Sequence, residues 1–144
     1  MLKIRCLLLL TLLFLSACSE PVDEEKLLRQ QLDEIILALE AKDMDRFLKP
    51  ISADFSAHQM DRRAVRWLAW RQWQRHEQIG IQLANVEVQL YDNVDPPRAE
   101  VHFQALLSGG AWLPQHAGWY SVTSGWRKDS DNWRMINAEW QQKL

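Results

Sequence analysis

The chain has 144 residues and a formal net charge of −2 at pH 7, from 17 Lys and Arg against 19 Asp and Glu. This balance is ordinary for a globular domain and disfavours wholesale binding to nucleic acid, so we expect no nucleic-acid partner. Two cysteines are too few for a disulfide-rich scaffold, whereas eight tryptophans are far above the usual number and need an explanation.

An export signal opens the chain. Lys3 and Arg5 precede an apolar run over residues 7–14, and Leu15-Ser16-Ala17-Cys18 follows it. A basic segment, an apolar stretch and small residues at a cleavage site are the parts of an export signal. The apolar run is shorter than the roughly 20 residues that a membrane-spanning helix needs. The last four of these residues resemble the lipobox of bacterial lipoproteins.

That resemblance implies that residues 1–17 are removed and that Cys18 is acylated, which anchors the mature chain to a membrane. The mature chain then has 15 basic and 19 acidic residues and no free thiol, because Cys6 leaves with the signal. Ser19 is compatible with sorting to the outer membrane, on its periplasmic face, in a Gram-negative bacterium. We expect residues 18–24 to form a lipidated tether and residues 25–144 to form the folded domain.

Three helices are predicted in the first half of the chain. Apolar residues recur at three- and four-residue steps from Glu24 onwards, which is typical of an amphipathic helix. Asp43 is expected to cap a short second helix that ends before Pro50. Asp61 is expected to cap a third helix that runs to about Gln78, with Ala64, Val65 and Leu68 on its core face.

The second half of the chain alternates like β-strands. Four strands are predicted over residues 84–90, 98–105, 119–126 and 133–140. Turns are expected at residues 93–97 and 129–132, where Asn, Asp, Pro and Ser gather. Helices that are followed by consecutive antiparallel strands indicate an α+β domain.

The order of these elements resembles that of the nuclear-transport-factor-2-like superfamily, which includes ketosteroid isomerase. Soft motifs support the likeness at residues 48–55, at Gly125-Trp126-Arg127 and at residues 133–136. The resemblance implies N-terminal helices packed on a strongly curved antiparallel sheet that forms a cone, and it allows a homodimer through the convex face. The superfamily contains enzymes, binding modules and assembly domains, so the fold does not select a function.

Tryptophans recur every seven residues from Trp112 to Trp140. In a strand this spacing places successive residues on opposite faces, so Trp119 and Trp126 are expected to point in opposite directions. Wide aromatic side chains that fill a curved sheet explain the tryptophans, and a ligand platform that includes Trp126 is the alternative.

The third helix carries a mixed aromatic and basic surface. Trp70 and Trp73 are expected on the same arc as Arg62, Arg63 and Arg66. This arc is a candidate contact for anionic head groups or a partner protein, because Trp and Arg are enriched at binding hot spots. The alternative is a helix packed on two sides, with the arginines lying over the tryptophans.

The four histidines show no metal-ligand spacing, and we expect neither a metal nor another cofactor. His58 is a candidate general base, because the segment after Asp54-Phe55 often runs along the pocket in the superfamily. Tyr120 or Tyr91 could donate a hydrogen bond to an oxyanion.

Three functions follow from these features. The first is a non-catalytic, membrane-anchored periplasmic lipoprotein that binds a small apolar ligand or an envelope protein. The second is an enzyme of the isomerase or dehydratase kind that uses His58 as the base inside the cone. The third is an assembly module of an envelope or secretion complex.

Overall fold

A computed structural model of the chain describes residues 21–108 and 118–143. The predicted signal, Cys18, Trp112 and His116 lie outside the described residues. Three helices and six strands follow one another, and their bounds are α1 Glu24–Glu40, α2 Met44–Leu48, β1 Ile51–Ala57, β2 Met60–Asp61, α3 Arg62–Arg75, β3 Gly80–Tyr91, β4 Arg98–Ser108, β5 Gly118–Asp129 and β6 Asn132–Lys143.

Aspartate side chains cap all three helices. Asp23 accepts a hydrogen bond from the Lys26 amide at 3.1 Å, and the corresponding oxygens of Asp43 and Asp61 accept from the third residue after them. Each bond satisfies an amide that has no partner within the helix. The predicted caps of α2 and α3 are confirmed, and α3 ends at Arg75, slightly earlier than expected.

The strands form one curved, unclosed sheet in the order β2-β1-β6-β5-β4-β3. The four predicted strands are confirmed and extend further than expected. Strands β3 to β6 form the expected antiparallel meander, and β1 joins its edge in parallel with β6, with Ile51 opposite Met135. The helices pack on the inner face of this sheet, which confirms the predicted α+β architecture.

A bulge at Ile136 sets which face each β6 residue occupies. Trp126 pairs with Met135, but Gly125 pairs with Asn137, so one extra residue enters β6 between these pairs. Such an insertion reverses the alternation of side chains beyond it. Trp133 and Trp140 therefore both lie on the inner face, although seven residues separate them.

The core lies between α1 and the inner sheet face at the end where β5 turns into β6. Trp126 has 0% exposure, and its Nε1 donates to Ser124 Oγ at 2.9 Å. The Ser124 hydroxyl in turn donates to the Val101 carbonyl at 3.2 Å. The abundant tryptophans are thus explained in part by Trp126 and Trp133, which fill the core. Within the described ranges, no helix combines the length and apolarity needed to cross a bilayer.

Candidate functional site

The inner sheet face carries an apolar surface at the end remote from the β5–β6 turn. We call it the inner-face patch and define it as Phe103, Leu107, Tyr120, Val122 and Trp140. Strand pairing brings these side chains together, because Phe103 lies opposite Val122 and Val122 lies opposite Trp140. The connection between β4 and β5, residues 109–117, leaves the sheet at this same end and lies outside the described residues.

The inner-face patch is more accessible than the core beside it. Trp140 is 36% exposed, and Leu107, Tyr120 and Val122 are half-buried. By contrast, Ser124, which lies two residues further along β5 than Val122, is completely buried. Small-molecule sites are lined mostly by apolar and aromatic side chains, and the inner-face patch offers such side chains with part of their surface exposed.

His58 lies at the edge of the inner-face patch and not inside a cone. It occupies the turn between β1 and β2 with φ of 45°, and its side chain is exposed. Its ring packs edge-on against Trp140, with ring centroids 4.7 Å apart. The expected position of His58 as an enclosed base is therefore wrong, because a tight left-handed turn holds it at the surface.

The two tyrosines occupy opposite faces of the sheet. Tyr120 lies within the inner-face patch, where its ring covers Gly118, and a Cβ on that glycine would approach the ring to 2.9 Å. Tyr91 pairs with Arg98 at the far edge of the outer face and is exposed. Only Tyr120 can therefore contact a molecule on the inner face.

Two carboxylates, Asp54 of β1 and Asp129 at the end of β5, form an ion-pair network on the outer face. Arg127 donates from Nη1 to Asp54 at 2.8 Å and from Nε to Asp129 at 2.6 Å. Hydrogen bonds from Arg127, then one from Ser52, hold the pKa of the Asp54 carboxyl well below its usual range. Asp54 is thus an anion paired with Arg127 on the outer face, and it cannot serve as a general base for a molecule on the inner face.

His102 also lies on the outer face. Its Nε2 is 2.6 Å from Glu100 Oε1, and its Nδ1 is 2.9 Å from Thr123 Oγ1. These contacts occupy both ring nitrogens. In the described part of the chain, no three His, Cys, Asp or Glu side chains gather where they could hold a metal ion.

Helix α3 exposes a different set of residues from the expected one. Trp67 and Trp70 are 55% and 51% exposed, and Arg63 and Arg66 are exposed beside them. Arg71 stacks over Trp67, with its Cζ 5.3 Å from the ring centroid. Trp67 was missed by sequence reasoning, although its spacing of three residues from Trp70 places both on one face of a helix.

Three expected contact residues are instead structural. Trp73 is buried, and its Nε1 donates to the Leu39 carbonyl at 3.0 Å. Arg62 reaches back to the carbonyls of Leu48 and Ile51 at 3.0 and 3.1 Å. Trp126 lies in the core without exposed surface. Trp73 and Trp126 therefore present little or no surface to a ligand or partner in the folded chain, whereas Trp70 and Arg66 are accessible.

A depression of about 460 Å³ lies along the exposed side of α1 and is separate from the inner-face patch. Its described lining comes from this helix alone and includes Gln30, Gln31 and Glu34. Glu34 pairs with Arg46 at 2.8 Å, and this hydrogen bond lowers the pKa of the Glu34 carboxyl. The described lining brings no aromatic ring to this depression, and one of its two carboxylates, Glu34, is paired with arginine.

The fold matches many solved structures, although no family model and no curated protein matches the sequence. Bd1075 of Bdellovibrio bacteriovorus superposes with a TM-score of 0.71 and 14% identity, over 81% of this chain and 40% of that one. An NTF2-like protein of unknown function from Pseudomonas putida KT2440 gives 0.66 and 17%, over 81% and 84%. The hexachlorocyclohexane dehydrochlorinase LinA-type3 of Novosphingobium barchaimii LL02 gives 0.64 and 10%, over 83% and 86%.

These likenesses show the fold alone, because every identity is 17% or less. The NTF2-like fold expected from the sequence is confirmed. Proteins with this fold include at least one enzyme, the dehydrochlorinase, and an activity has to be argued from the residues of this chain.

Proposed function

We propose that the protein is a membrane-anchored periplasmic lipoprotein whose domain binds a small apolar ligand at the inner-face patch without transforming it. One observation carries the proposal. The inner sheet face is filled at the β5–β6 end but leaves Trp140, Tyr120 and Val122 partly exposed at the other. An apolar molecule that covered these side chains would gain about 25 cal/mol for each Å² of apolar surface removed from water.

The chemistry of the inner-face patch favours binding over catalysis. Among the described residues, its polar groups are the Tyr120 hydroxyl and the Trp140 indole nitrogen, with the Gln142 amide beside Tyr120, and His58 at its edge is exposed. General acid–base catalysis needs a matched acid and base within hydrogen-bond reach of the substrate. The isomerase or dehydratase alternative assigns the base to His58, which is exposed at the edge of the patch, and the nearby Asp54 carboxylate pairs with Arg127 on the other face.

The anchor rests on the resemblance of Leu15-Ser16-Ala17-Cys18 to a lipobox. Five residues, 19–23, separate the acylated cysteine from α1, and the six residue steps from Cys18 to Glu24 reach roughly 20 Å when extended. The domain would therefore stay close to the membrane surface. Ser19 favours the outer membrane of a Gram-negative bacterium as that surface.

A paired substitution tests the ligand site. We expect Trp140→Ala to weaken binding of the neutral apolar fluorophore N-phenyl-1-naphthylamine by about tenfold or more, because a large part of the binding surface is removed. Trp119→Ala is the matched control, since Trp119 is 44% exposed on the outer face of the same sheet. The assay uses the chain from Ser19 onwards, which contains every described element, and measures fluorescence enhancement. Equal affinities for the two variants would refute the proposed site.

Native mass spectrometry of the same variants identifies the natural ligand. We expect an apolar molecule to co-purify with the wild-type chain and with Trp119→Ala, and to be lost with Trp140→Ala. A ligand that stays bound in all three would place the site elsewhere.

The anchor is tested separately with the two cysteines. Cys18→Ala in the full chain should abolish acylation and signal removal, which intact-mass measurement detects directly. Cys6→Ala is the control, because it changes the other cysteine of the same segment and should leave the acylated mature form unchanged. An unmodified Cys18 in the wild-type protein would overturn the lipoprotein assignment.

A further inference from the structure

The exposed side of α3 is a basic and aromatic surface. We call it the α3 face and define it as Arg63, Arg66, Trp67, Trp70 and Gln74. All five side chains are exposed, and they lie within one arc of the helix. The helix from Arg62 to Arg75 contains five arginines and three tryptophans but no acidic residue. It stands out because the mature chain as a whole is acidic.

The charges of the α3 face are not neutralised by the rest of the domain. In the ranges 21–108 and 118–143, no carboxylate forms an ion pair with Arg63 or Arg66. The arginines with structural roles are different ones, since Arg62 binds two backbone carbonyls and Arg127 binds two aspartates. The α3 face therefore presents positive charge and large aromatic surface outward together.

We propose that the α3 face docks on the surface of an anionic bilayer, which makes it a second membrane contact beside the anchor; the inference rests on the proposed acylation of Cys18. Trp side chains prefer the head-group level of a bilayer, where the ring is buried and the indole nitrogen stays hydrated. Arginines on the same surface bind lipid phosphates, and each contributes to the attraction of basic segments to anionic lipid.

Contacts within the fold place the α3 face within reach of that bilayer. Glu24, at the start of α1, binds Trp133 at 2.7 Å, and Trp133 lies two residues before Met135 on β6. Met135 pairs with Ile51, whose carbonyl receives the Arg62 side chain at the start of α3. The start of α3 is thus tied to the strand ends that also hold the start of α1, whereas Trp73 near its end binds the Leu39 carbonyl near the end of α1. A tether of roughly 20 Å at the start of α1 leaves the domain free to lay this helix on the same membrane.

The test measures how the anchored protein lies on vesicles. A spin label is attached to Gln74→Cys on the α3 face and, as the control, to Gln104→Cys, which is exposed on the outer face of β4. The full acylated chain is reconstituted into vesicles of phosphatidylcholine with phosphatidylglycerol, and into vesicles of phosphatidylcholine alone. A water-soluble paramagnetic nickel complex then reports the exposure of each label.

We expect the label at position 74 to lose most of its exposure on the anionic vesicles but not on the neutral ones, while the label at 104 stays exposed on both. Arg63→Gln with Arg66→Gln should restore exposure, because each arginine removed weakens the docked state by about fivefold. High salt should do the same, since it screens the attraction. Trp67→Ser with Trp70→Ser should also restore it, and circular dichroism verifies that both double variants are folded.

Three results would overturn the inference. The label at 74 could remain exposed on anionic vesicles, or it could be protected equally on neutral ones. It could also be protected before vesicles are added, which would assign the α3 face to a protein partner or a second copy of the chain. Flotation of the protein with the vesicles reports the anchor independently, so a failure of acylation is distinguished from a failure of docking.

Discussion

Ser124→Ala probes the hydrogen-bonded core that closes one end of the inner sheet face. The Ser124 hydroxyl accepts from Trp126 Nε1 at 2.9 Å and donates to the Val101 carbonyl at 3.2 Å. All three residues have 0% exposure, so water cannot replace the missing hydroxyl. The substitution leaves a buried indole N–H without a partner and removes one bond to a buried carbonyl.

The expected cost follows from these two bonds. An unsatisfied buried donor costs about 1–3 kcal/mol, and a lost neutral hydrogen bond costs about 1 kcal/mol. We therefore expect the free energy of unfolding to fall by about 2–4 kcal/mol. For a domain of this size that corresponds to a decrease in Tm of about 8–16 °C.

Urea denaturation followed by tryptophan fluorescence and by circular dichroism measures this loss. Ser121→Ala is the matched control, because Ser121 lies on the outer face of the same strand and should cost less than about 0.5 kcal/mol. In a Trp126→Phe background the N–H is absent, so Ser124→Ala should cost at least about 1 kcal/mol less there than in the wild type. Equal costs at positions 121 and 124, or equal costs in both backgrounds, would refute the reasoning.

Three further predictions concern charge and packing. Arg127 keeps the pKa of Asp54 below its ordinary value of 3.8, so the stability that this pair contributes is present above pH 3.8 and is lost as the pH falls through the lowered pKa. Asp54→Asn should therefore reduce the fall in Tm on the acid side, and an unchanged profile of Tm against pH would contradict this prediction. Glu24→Ala removes the hydrogen bonds to Lys128 and to the buried Trp133. Denaturant titration should show that the free energy of unfolding falls by about 1–2 kcal/mol, and by less for Glu24→Gln. Trp73→Phe should lower the free energy of unfolding by about 1–2 kcal/mol, because its hydrogen bond to the Leu39 carbonyl is lost. Trp70→Phe, at an exposed position, should leave it almost unchanged, and similar losses for the two variants would contradict the buried position of Trp73.

The helices and the four long strands could be predicted because their signals are local. An aspartate before an apolar helical pattern satisfies free amides at a helix start, and Asp43 and Asp61 do so. Strand β1 could not be predicted in this way. Its partner β6 lies about 80 residues further along the chain, and its register against β6 shifts between Ile51 and Ser56. Pairing at that sequence distance leaves no periodic signal in seven residues.

The orientation of α3 was predicted only in part. Val65 of the expected core face packs against the core, but the residues that the domain buries are Ala69 and Trp73. The difference comes from tertiary contacts, since Trp73 packs edge-on against Phe47 and binds a carbonyl of α1. Sequence alone has no access to those partners, so it assigned Trp73 to the exposed arc and missed Trp67.

The inner-face patch depends on a single inserted residue. Without the bulge at Ile136, strict alternation from Trp133 would place Trp140 on the outer face, away from Val122 and His58. Removing the bulge by deletion would therefore exchange the faces of every β6 residue beyond it. The alternation of residues 133–140 gives no sign of this insertion, which explains why Trp140 was not selected as a site residue from the sequence.

The fold also relates the proposed ligand site to the proposed anchor. Glu24 ties the start of α1 to Lys128 and Trp133 beside the β5–β6 turn, where the inner face is filled. The inner-face patch lies at the other end of the same strands, and α1 alone, with 17 residues, is about 25 Å long. A chain anchored at Cys18 would hold the filled end nearest to the tether. The end of α3 lies elsewhere, because Trp73 binds the Leu39 carbonyl near the end of α1, and Glu40 beside it binds Ile81, which pairs with Leu107 of the inner-face patch. Docking through the α3 face would therefore bring the open end towards the bilayer as well.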